Sequence, residues 1–468
     1  MIIESKKYLI KKEIISDVII VGSGLAALAV AYTLEKRGIG CILFESGTES
    51  EHAQWRITSE PITKADYGVQ ESYAQLHVRR EPGGGSSVWG GWCTSLRSLN
   101  FSRTDLTGYP AWPLRKQDIL PFYRKAGEWL QVDGAEGALM DEVFELPEKH
   151  LAVKQFGFSP PTRYSTHLRE HVSRSEKITL ITGATIHSLH GKDTKVTSLT
   201  LHGANKKTII HCTGNVVLAG GAVGNSRILA RSAMELNIAP ETQSFIGNYL
   251  FEHPHCYSMG RVAFIPDTEA LISKKQYWSR DFISLIPTDG YLTRNGLSDF
   301  NFQLTKIPAS ELTKAELAIA NNYQFIHGGK PQFYQCTLGM EQVAVVGNGV
   351  LDSEAMQGKS DGHLRLGLES QKPVVLAAKN WLFSQGVHAW SEPESAVPVQ
   401  AVGHLQGTTR MGAASDAGVV DRNCRVFGLK NLYVVGSSVF PTGGFANPTL
   451  TIVALAIRLG EHVSEAKP

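Results

Sequence analysis

The sequence predicts an α/β protein, and three stretches of the chain carry that prediction. Residues 16–48 follow the order strand, turn, helix and strand, and residues 176–232 end in a strand that leads through a glycine-containing turn into a helix. This alternation is typical of a parallel sheet covered by helices. Residues 255–400 differ, because runs such as 332–338 alternate apolar and polar side chains. That period favours antiparallel strands with one face towards solvent.

Length and composition exclude several classes of protein. The chain has 468 residues, enough for two or three domains of about 150 residues each. Its 42% of hydrophobic and 19% of charged residues exclude wholesale disorder. A net charge of +2 gives no bulk attraction to nucleic acid or to an anionic membrane, so we predict neither partner. The six scattered cysteines lack metal-ligand spacing, which predicts buried reduced thiols and no metal site.

Two apolar stretches lie near the ends of the chain, at 14–34 and 447–463. The first is interrupted by Asp17 and by a glycine turn, and it lacks the uninterrupted core of a signal peptide or a membrane span. The second carries apolar residues on nearly every side, which predicts a buried helix. We therefore predict a cytoplasmic protein.

A dinucleotide fingerprint follows the first predicted strand, 17–21. It has the form G-x-G-x-x-A, in which Gly22 permits the tight turn, Gly24 lets the backbone approach a pyrophosphate and Ala27 permits close helix packing. The next strand ends at Glu45, 21 residues after Gly24, where a carboxylate accepts hydrogen bonds from ribose hydroxyls. The spacing predicts a bound dinucleotide, and the charge of Glu45 argues against NADP. One such turn in a long chain favours a tightly held flavin.

Several blocks of the sequence resemble the glucose–methanol–choline (GMC) oxidoreductase family. Residues 83–91 (GGGSSVWGG) resemble its second flavin-contact loop. Residues 404–412 (HLQGTTRMG) and 441–451 (PTGGFANPTLT) are similar to the C-terminal part of its pyranose 2-oxidase branch, which includes bacterial relatives that oxidise sugars and glycosides. The shorter blocks 109–114 and 246–254 also match, whereas the resemblance is weak between 255 and 400.

The resemblance implies a Rossmann-like FAD-binding domain assembled from discontinuous segments, with an α+β substrate-binding domain that contains an antiparallel sheet. We expect the three parts of the FAD-binding domain at 12–130, 176–254 and 401–468, the last of which carries the catalytic loops. Residues 131–175 are expected to form a connecting insertion. Residues 255–400 are expected to form the substrate-binding domain.

The resemblance also implies FAD as cofactor and gives a set of residues expected to bind it. Val88 stands where the pyranose oxidase branch carries a flavin-linked histidine, so we predict non-covalent FAD. Most of the family has aspartate at the position of Gly436, whereas the pyranose oxidase branch also resembles glycine there. The expected cofactor-binding residues are Gly22, Gly24, Leu25, Ala26, Glu45, Ser46, Gly85, Ser86, Ser87, Trp89, Ile186, Ala219, Gly220, Gly436, Ser437, Asn447, Pro448 and Thr449.

The oxidation of an alcohol by a flavin needs a base for the hydroxyl proton and an acceptor for the hydride. A neutral imidazole suits the first role, because the histidine pKa lies near working pH. The resemblance gives His404 the role of base and Asn447 that of hydrogen-bonding partner, since an amide cannot act as a base. Asn447 also precedes the last helix, whose N-terminal dipole favours negative charge beside the flavin.

The resemblance predicts oxidation of a sugar, glycoside or polyol hydroxyl to a carbonyl, with oxygen or another electron acceptor. Two alternatives stay open: an alcohol dehydrogenase that tailors a natural product with a non-oxygen acceptor, and a lyase that keeps FAD without using its redox chemistry. Gln335 and Glu341 are candidates for binding substrate hydroxyls, although a solvent-facing sheet is the preferred explanation of both. We expect His253 to be structural. The oligomeric state stays open.

Overall fold

The chain folds into a mixture of helices and strands, as the sequence predicts. In this computed structural model the elements follow the predicted order in residues 16–48 and 176–232, and the described strands of 255–400 are antiparallel. The structure describes residues 1–5, 13–14, 16–49, 79–102, 112–139, 144–145, 151–160, 162–203, 206–253, 255–264, 267, 269–270, 282–340, 387–391 and 403–466.

A parallel sheet of six strands runs through the described part of the chain. Its strands Val18–Val21, Cys41–Phe44 and Asn215–Leu218 are buried at every position. Because helices cover a parallel sheet on its faces, such strands need continuous apolar sequence. In spatial order the six strands are Ile2–Glu4, Ile178–Thr182, Cys41–Phe44, Val18–Val21, Asn215–Leu218 and Leu432–Val434.

The helix Thr449–Glu465 is buried, as its apolar sequence predicts. It packs between the helices Leu25–Lys36 and Lys116–Trp129. Gly460 permits this approach, because a Cβ atom there would lie 2.7 Å from the Cβ atom of Thr33. The other described α-helices are Ser98–Ser102, Ala135–Leu139, Arg169–Arg174, Gly221–Ser232, Pro240–Gln243, Asp289–Asn295 and Lys314–His327. Shorter turns of 3₁₀ or π helix are Gly84–Ser87, Tyr164–Leu168, Ala309–Glu311 and Ser437–Val439.

An antiparallel sheet of seven strands forms the second large layer of the described residues. Its interior is apolar and includes the fully buried rings of Phe300, Phe302 and Tyr334. Two of its strands come from residues 131–175, which we expected only to connect two regions. In spatial order the strands are Val387–Ser391, His255–Phe264, Gln332–Met340, Phe300–Lys306, Ile283–Pro287, Leu151–Val153 and Phe144–Glu145.

Two smaller sheets complete the strand inventory of the described ranges. One has four strands. Three of them are antiparallel and come just before Asn215–Leu218 in sequence, and the short strand Glu13–Ile14 is parallel to Lys206–Cys212. Its members are Thr185–Lys192, Lys195–Gly203, Lys206–Cys212 and Glu13–Ile14. The other pairs Trp92–Cys93 with Gly157–Phe158.

A buried charge network ties the loop before the last helix to the antiparallel sheet. Arg97 donates from Nε to Asp299 (3.2 Å) and from Nη1 to Asp289 (2.8 Å), and Asn100 also donates to Asp299 (3.0 Å). The guanidinium lies 5.0 Å from the ring centroid of Phe445. A buried aspartate needs such partners, because an unpaired charge is costly in the interior. The loop is thereby held beside the antiparallel sheet, since Asp299 directly precedes the strand Phe300–Lys306.

Two further sequence predictions concern the membrane and the thiols. No helix within the described ranges has the length and apolar character needed to cross a membrane. All six cysteines are buried, and none of them forms a disulfide in the structure.

Candidate active site

A cavity of about 810 Å³ lies between the parallel sheet and the antiparallel sheet. Its lining includes residues at the carboxyl ends of parallel strands, among them Val21, Phe44 and Ala219. Open parallel sheets bind ligands at that edge, and the volume suits a small molecule or cofactor. The antiparallel sheet contributes His255 and Gln303 to the opposite part of the lining.

The two glycines of the dinucleotide turn have different physical roles. Gly22 has a left-handed φ of 106°, and a Cβ atom there would lie 2.5 Å from the carbonyl oxygen of Ala219. Gly24 has no such neighbour, because the nearest atom to its Cβ position is the Gly83 oxygen at 3.9 Å. Gly22 therefore permits the strand ends to pack, whereas Gly24 exposes its backbone to the cavity.

Glu45 is buried at the cavity wall and held by donors from the protein. Its carboxylate accepts from the Ser23 hydroxyl (2.6 Å), the Gly47 amide (2.9 Å) and the Ser46 hydroxyl (3.3 Å). Burial raises the pKa of Glu45, and these hydrogen bonds act in the opposite direction. A carboxylate has about four lone-pair sites, so one remains for a hydroxyl of a ligand.

The second predicted cofactor loop packs directly on the dinucleotide turn. The amide of Gly83 donates to the Ser23 hydroxyl (3.1 Å), and a Cβ atom at Gly84 would lie 3.3 Å from the Cα atom of Gly24. Ser87 does not reach the cavity, since its hydroxyl donates to Glu81 and to the Gly84 carbonyl. The cavity-lining residues of this loop include Gly84, Gly85, Ser86, Val88 and Trp89.

His404 is positioned by backbone bonds to two other segments. The Ser437 hydroxyl donates to the carbonyl of Leu405 (2.6 Å), the residue next to His404. Gln406 and Phe251 exchange backbone hydrogen bonds of 2.9 and 3.1 Å. The second pairing brings His253 and His255 beside His404, although about 150 residues of sequence separate them.

Three imidazole rings meet at this place. The ring centroids of His253 and His255 lie 4.9 Å apart, and those of His253 and His404 lie 5.5 Å apart. Burial lowers the pKa of His255 to about 4. Burial, followed by the charges of His255 and His404, lowers the pKa of His253 well below its usual value. Both rings are therefore neutral at physiological pH.

Asn447 lies in the anchored loop that precedes the last helix. Its Nδ2 atom is 3.5 Å from the carbonyl oxygen of Trp92, and its Oδ1 atom is buried with no hydrogen-bond partner among the described residues. The loop is further held by Thr442, which accepts from the Trp112 indole (3.0 Å) and donates to the Asn100 carbonyl (2.8 Å). Asn447 lines the same cavity as His404.

The fold thus brings most of the predicted residues to one cavity. The predicted cofactor-binding residues other than Ser87 line it, and so do both members of the predicted catalytic pair. The substrate-binding candidate Gln335 is not among the lining residues. The Nε2 atom of Gln335 donates to the Gly260 carbonyl of the neighbouring strand (3.0 Å), and Glu341 lies outside the described residues.

Several residues of the lining were not singled out from the sequence. His255, Tyr257 and Gln303 face it from the antiparallel sheet, and no motif marks them. Ser23 occupies a variable position of the fingerprint, yet it joins the turn, Glu45 and the second loop. Four arginines also line the cavity and bring positive charge suited to a pyrophosphate. They are Arg79, Arg80, Arg227 and Arg231.

Comparison with known proteins finds two matching families. The family described as GMC oxidoreductase matches residues 379–456, and the family described as FAD binding domain matches residues 17–57. A C-glycoside 3-oxidase from Microbacterium trichothecenolyticum is 46% identical over 70 residues, which are 15% of this chain and 14% of that protein. The chain thus aligns with only a small part of this relative.

Two longer similarities extend over nearly the whole chain. An oxygen-dependent choline dehydrogenase from Vibrio vulnificus (strain YJ016) is 24% identical over 548 residues, with 97% of this chain and 95% of that protein covered. The crystal structure of pyridoxine 4-oxidase from Mesorbium loti has a TM-score of 0.56 at 17% identity and covers 97% of this chain and 100% of that one. At this identity the second similarity is one of fold.

Proposed function

We propose that this chain, which belongs to the GMC oxidoreductase family, uses FAD to oxidise an alcohol to a carbonyl. The observation that carries the proposal is the placement of His404 and Asn447 on the cavity that the dinucleotide turn also lines. They are 43 residues apart in sequence. A base and a hydrogen-bonding amide beside a flavin site are the groups that alcohol oxidation needs.

The cavity residues fit FAD as a non-covalent ligand. Gly24 leaves room for a pyrophosphate, and Glu45 retains an acceptor site for ribose hydroxyls. Val88 lines the cavity and offers no atom for a covalent link to the flavin. We interpret the parallel sheet as a Rossmann-like FAD-binding domain assembled from discontinuous segments, and the antiparallel sheet as the substrate-binding domain.

The chain's own residues hold the substrate and move its hydroxyl proton. His404 takes that proton at a ring nitrogen. Asn447 holds the hydroxyl oxygen through its amide and so orients the neighbouring carbon–hydrogen bond. The start of the helix Thr449–Glu465 adds a positive dipole end to this part of the cavity. Bound FAD supplies the hydride acceptor.

We further propose that the substrate is a sugar, a glycoside or a polyol. Tyr257 and Gln303 give the antiparallel wall of the cavity polar groups that can bind several hydroxyls. A matched relative that is 46% identical over 70 residues carries the name C-glycoside 3-oxidase, which is consistent with such a substrate. The electron acceptor is oxygen or another oxidant.

An anaerobic spectrum tests this proposal. The purified holoprotein is mixed with a panel of sugars, glycosides, polyols and simple alcohols, and the oxidised-flavin band is recorded. We expect one of the polyhydroxylated compounds to bleach the band and return a carbonyl product. Bleaching by a simple alcohol alone would overturn the sugar assignment. A product of elimination formed without bleaching would overturn oxidation in favour of a redox-silent lyase.

A further inference from the structure

The three clustered histidines have more nitrogen donors than alcohol oxidation uses. Their ligand atoms all lie within 4.8 Å of one another, and the side chains come from two separate segments of the chain. His253 is 1% exposed and His255 6%. Neither ring nitrogen of these two residues has a hydrogen-bond partner among the described residues. A base acting alone explains His404 but leaves this pair without a role.

Gly339 keeps a space open between the same nitrogens. A Cβ atom at Gly339 would lie 3.2 Å from Nε2 of His253 and 3.3 Å from Nε2 of His255. It would also lie 2.5 Å from Oδ1 of Asn301, a buried oxygen with no hydrogen-bond partner in the described part of the chain. Two ring nitrogens and one amide oxygen therefore face one buried space, which the missing side chain leaves free.

Such an arrangement is costly unless something binds there. A buried polar atom without a partner has lost its hydration with no compensating hydrogen bond, and here several such atoms lie together. A neutral imidazole offers a lone pair on one ring nitrogen, and metal binding uses that form. Imidazole nitrogen is a preferred ligand of zinc and of neighbouring transition metals, and three histidines with one open position form a known type of zinc site.

We propose that His253, His255 and His404 form a binding site for a divalent transition-metal ion of the zinc class. Asn301 lies beside the site, where its amide oxygen or a water molecule completes the coordination. Zinc–nitrogen distances of about 2.0–2.1 Å place tetrahedral ligand nitrogens about 3.3 Å apart. Binding therefore requires the ligand nitrogens to approach one another from their present spacing of up to 4.8 Å. The sequence predicts no metal site, because these histidines follow no ligand motif.

Metal binding has a consequence for the proposed reaction. This consequence rests on the proposed function of His404. His404 is both a ligand of the metal site and the proposed base. A ring nitrogen that coordinates a metal ion cannot at the same time take a proton. Bound zinc is therefore expected to inhibit turnover, and removal of the metal is expected to restore it. The site would couple the activity of the enzyme to the concentration of free metal.

Cobalt titration of the FAD-containing protein tests the site directly. The protein is first treated with a chelator, then titrated with Co²⁺, and the visible bands of tetrahedral Co²⁺ are recorded on the long-wavelength side of the flavin absorption. We expect one Co²⁺ per chain, displaced by one Zn²⁺. His255→Ala should weaken binding by more than about 100-fold, because it removes a ligand. His202→Ala is the matched control, since His202 stacks on His187 away from the cluster.

The outcomes separate the metal site from the proposed oxidation. Absence of a tetrahedral Co²⁺ spectrum in the wild-type protein would overturn the metal site, whether or not the variants fold. Equal weakening in His255→Ala and His202→Ala would also overturn it. Flavin bleaching is measured on the chelator-treated protein without metal. The bleaching experiment therefore tests the oxidation, and the Co²⁺ titration tests the metal site, each independently of the other.

Discussion

In the part of the cavity formed by the dinucleotide turn, the protein itself supplies donors to the buried carboxylate of Glu45. In the part formed by the histidine cluster, the ring nitrogens of His253 and His255 and the amide oxygen of Asn447 are buried without such partners. Both parts contribute to the lining of one cavity, the second through His255, His404 and Asn447. They differ in whether the folded chain alone completes their hydrogen bonding.

This difference indicates what each part is for. A polar group satisfied by its neighbours stabilises the fold and holds its geometry before a ligand arrives. A buried polar group without a partner has an uncompensated desolvation free energy, which a ligand can offset by bonding to it. The turn region therefore acts as a rigid cradle, whereas the histidine region provides groups that react or coordinate. Each of the following variants alters one side of this comparison.

The largest effect is expected for Gly24→Val in the turn region. A side chain there meets the protein only at 3.9 Å, so the chain should fold while the added carbon atoms occupy the place of the pyrophosphate. We expect loss of FAD, measured as flavin released on acid precipitation of the purified protein. Flavin that remains in the wild-type precipitate would contradict non-covalent binding.

Gly22→Val is the matched control, because a Cβ atom at this position lies 2.5 Å from the Ala219 oxygen. The left-handed φ of Gly22 adds strain. We expect this variant to lose thermal stability as well as flavin. Normal flavin content in Gly24→Val would refute the assignment of the turn.

A smaller effect is expected for His404→Ala in the histidine region. The variant should keep FAD, because the turn and Glu45 are untouched, but turnover should fall by about 10²–10⁴-fold if His404 is the general base. The measurement is the rate of anaerobic flavin bleaching by the identified substrate. Bleaching at a near-native rate would remove His404 from that role.

The smallest effect is expected for Ser23→Ala. It removes the hydroxyl that donates to the buried carboxylate of Glu45 and accepts from the Gly83 amide, and the loss of a bond to a charged group costs about 1.5–3 kcal/mol. We expect the free energy of unfolding, measured by denaturant titration, to fall by that amount. Ser87→Ala is the control, since its hydroxyl also bonds a carboxylate but lies away from the cavity. An equal loss of unfolding free energy in both variants would contradict a larger contribution from the bond to the buried Glu45 carboxylate.

Local patterns were enough to predict the turn region. Gly22, Gly24 and Glu45 lie within a contiguous strand–turn–helix–strand unit, so their spacing alone places them together. The connection of residues 131–175 to the antiparallel sheet could not be predicted in this way. Its strands Phe144–Glu145 and Leu151–Val153 are short. They pair with each other, and Leu151–Val153 also pairs with Ile283–Pro287, about 130 residues later. Short strands carry little periodicity of their own.

The histidine region shows a different limit. His404 and Asn447 were identified only through resemblance to a family, and His255 was not identified at all. No spacing relates residue 255 to residue 404. Their meeting depends on the backbone pairing of Phe251 with Gln406, a contact between distant segments. Such pairings follow from the packing of the whole chain.

By itself the sequence determined the α/β class, the dinucleotide turn with its acidic partner and the burial of the last helix. These features follow from local periodicity and from residue types that act within a few turns of chain. The tertiary structure decided which distant side chains share the cavity, that Ser87 and Gln335 bond elsewhere, and that three imidazoles meet beside Gly339. Contacts of that range depend on how whole sheets pack, which no local pattern encodes.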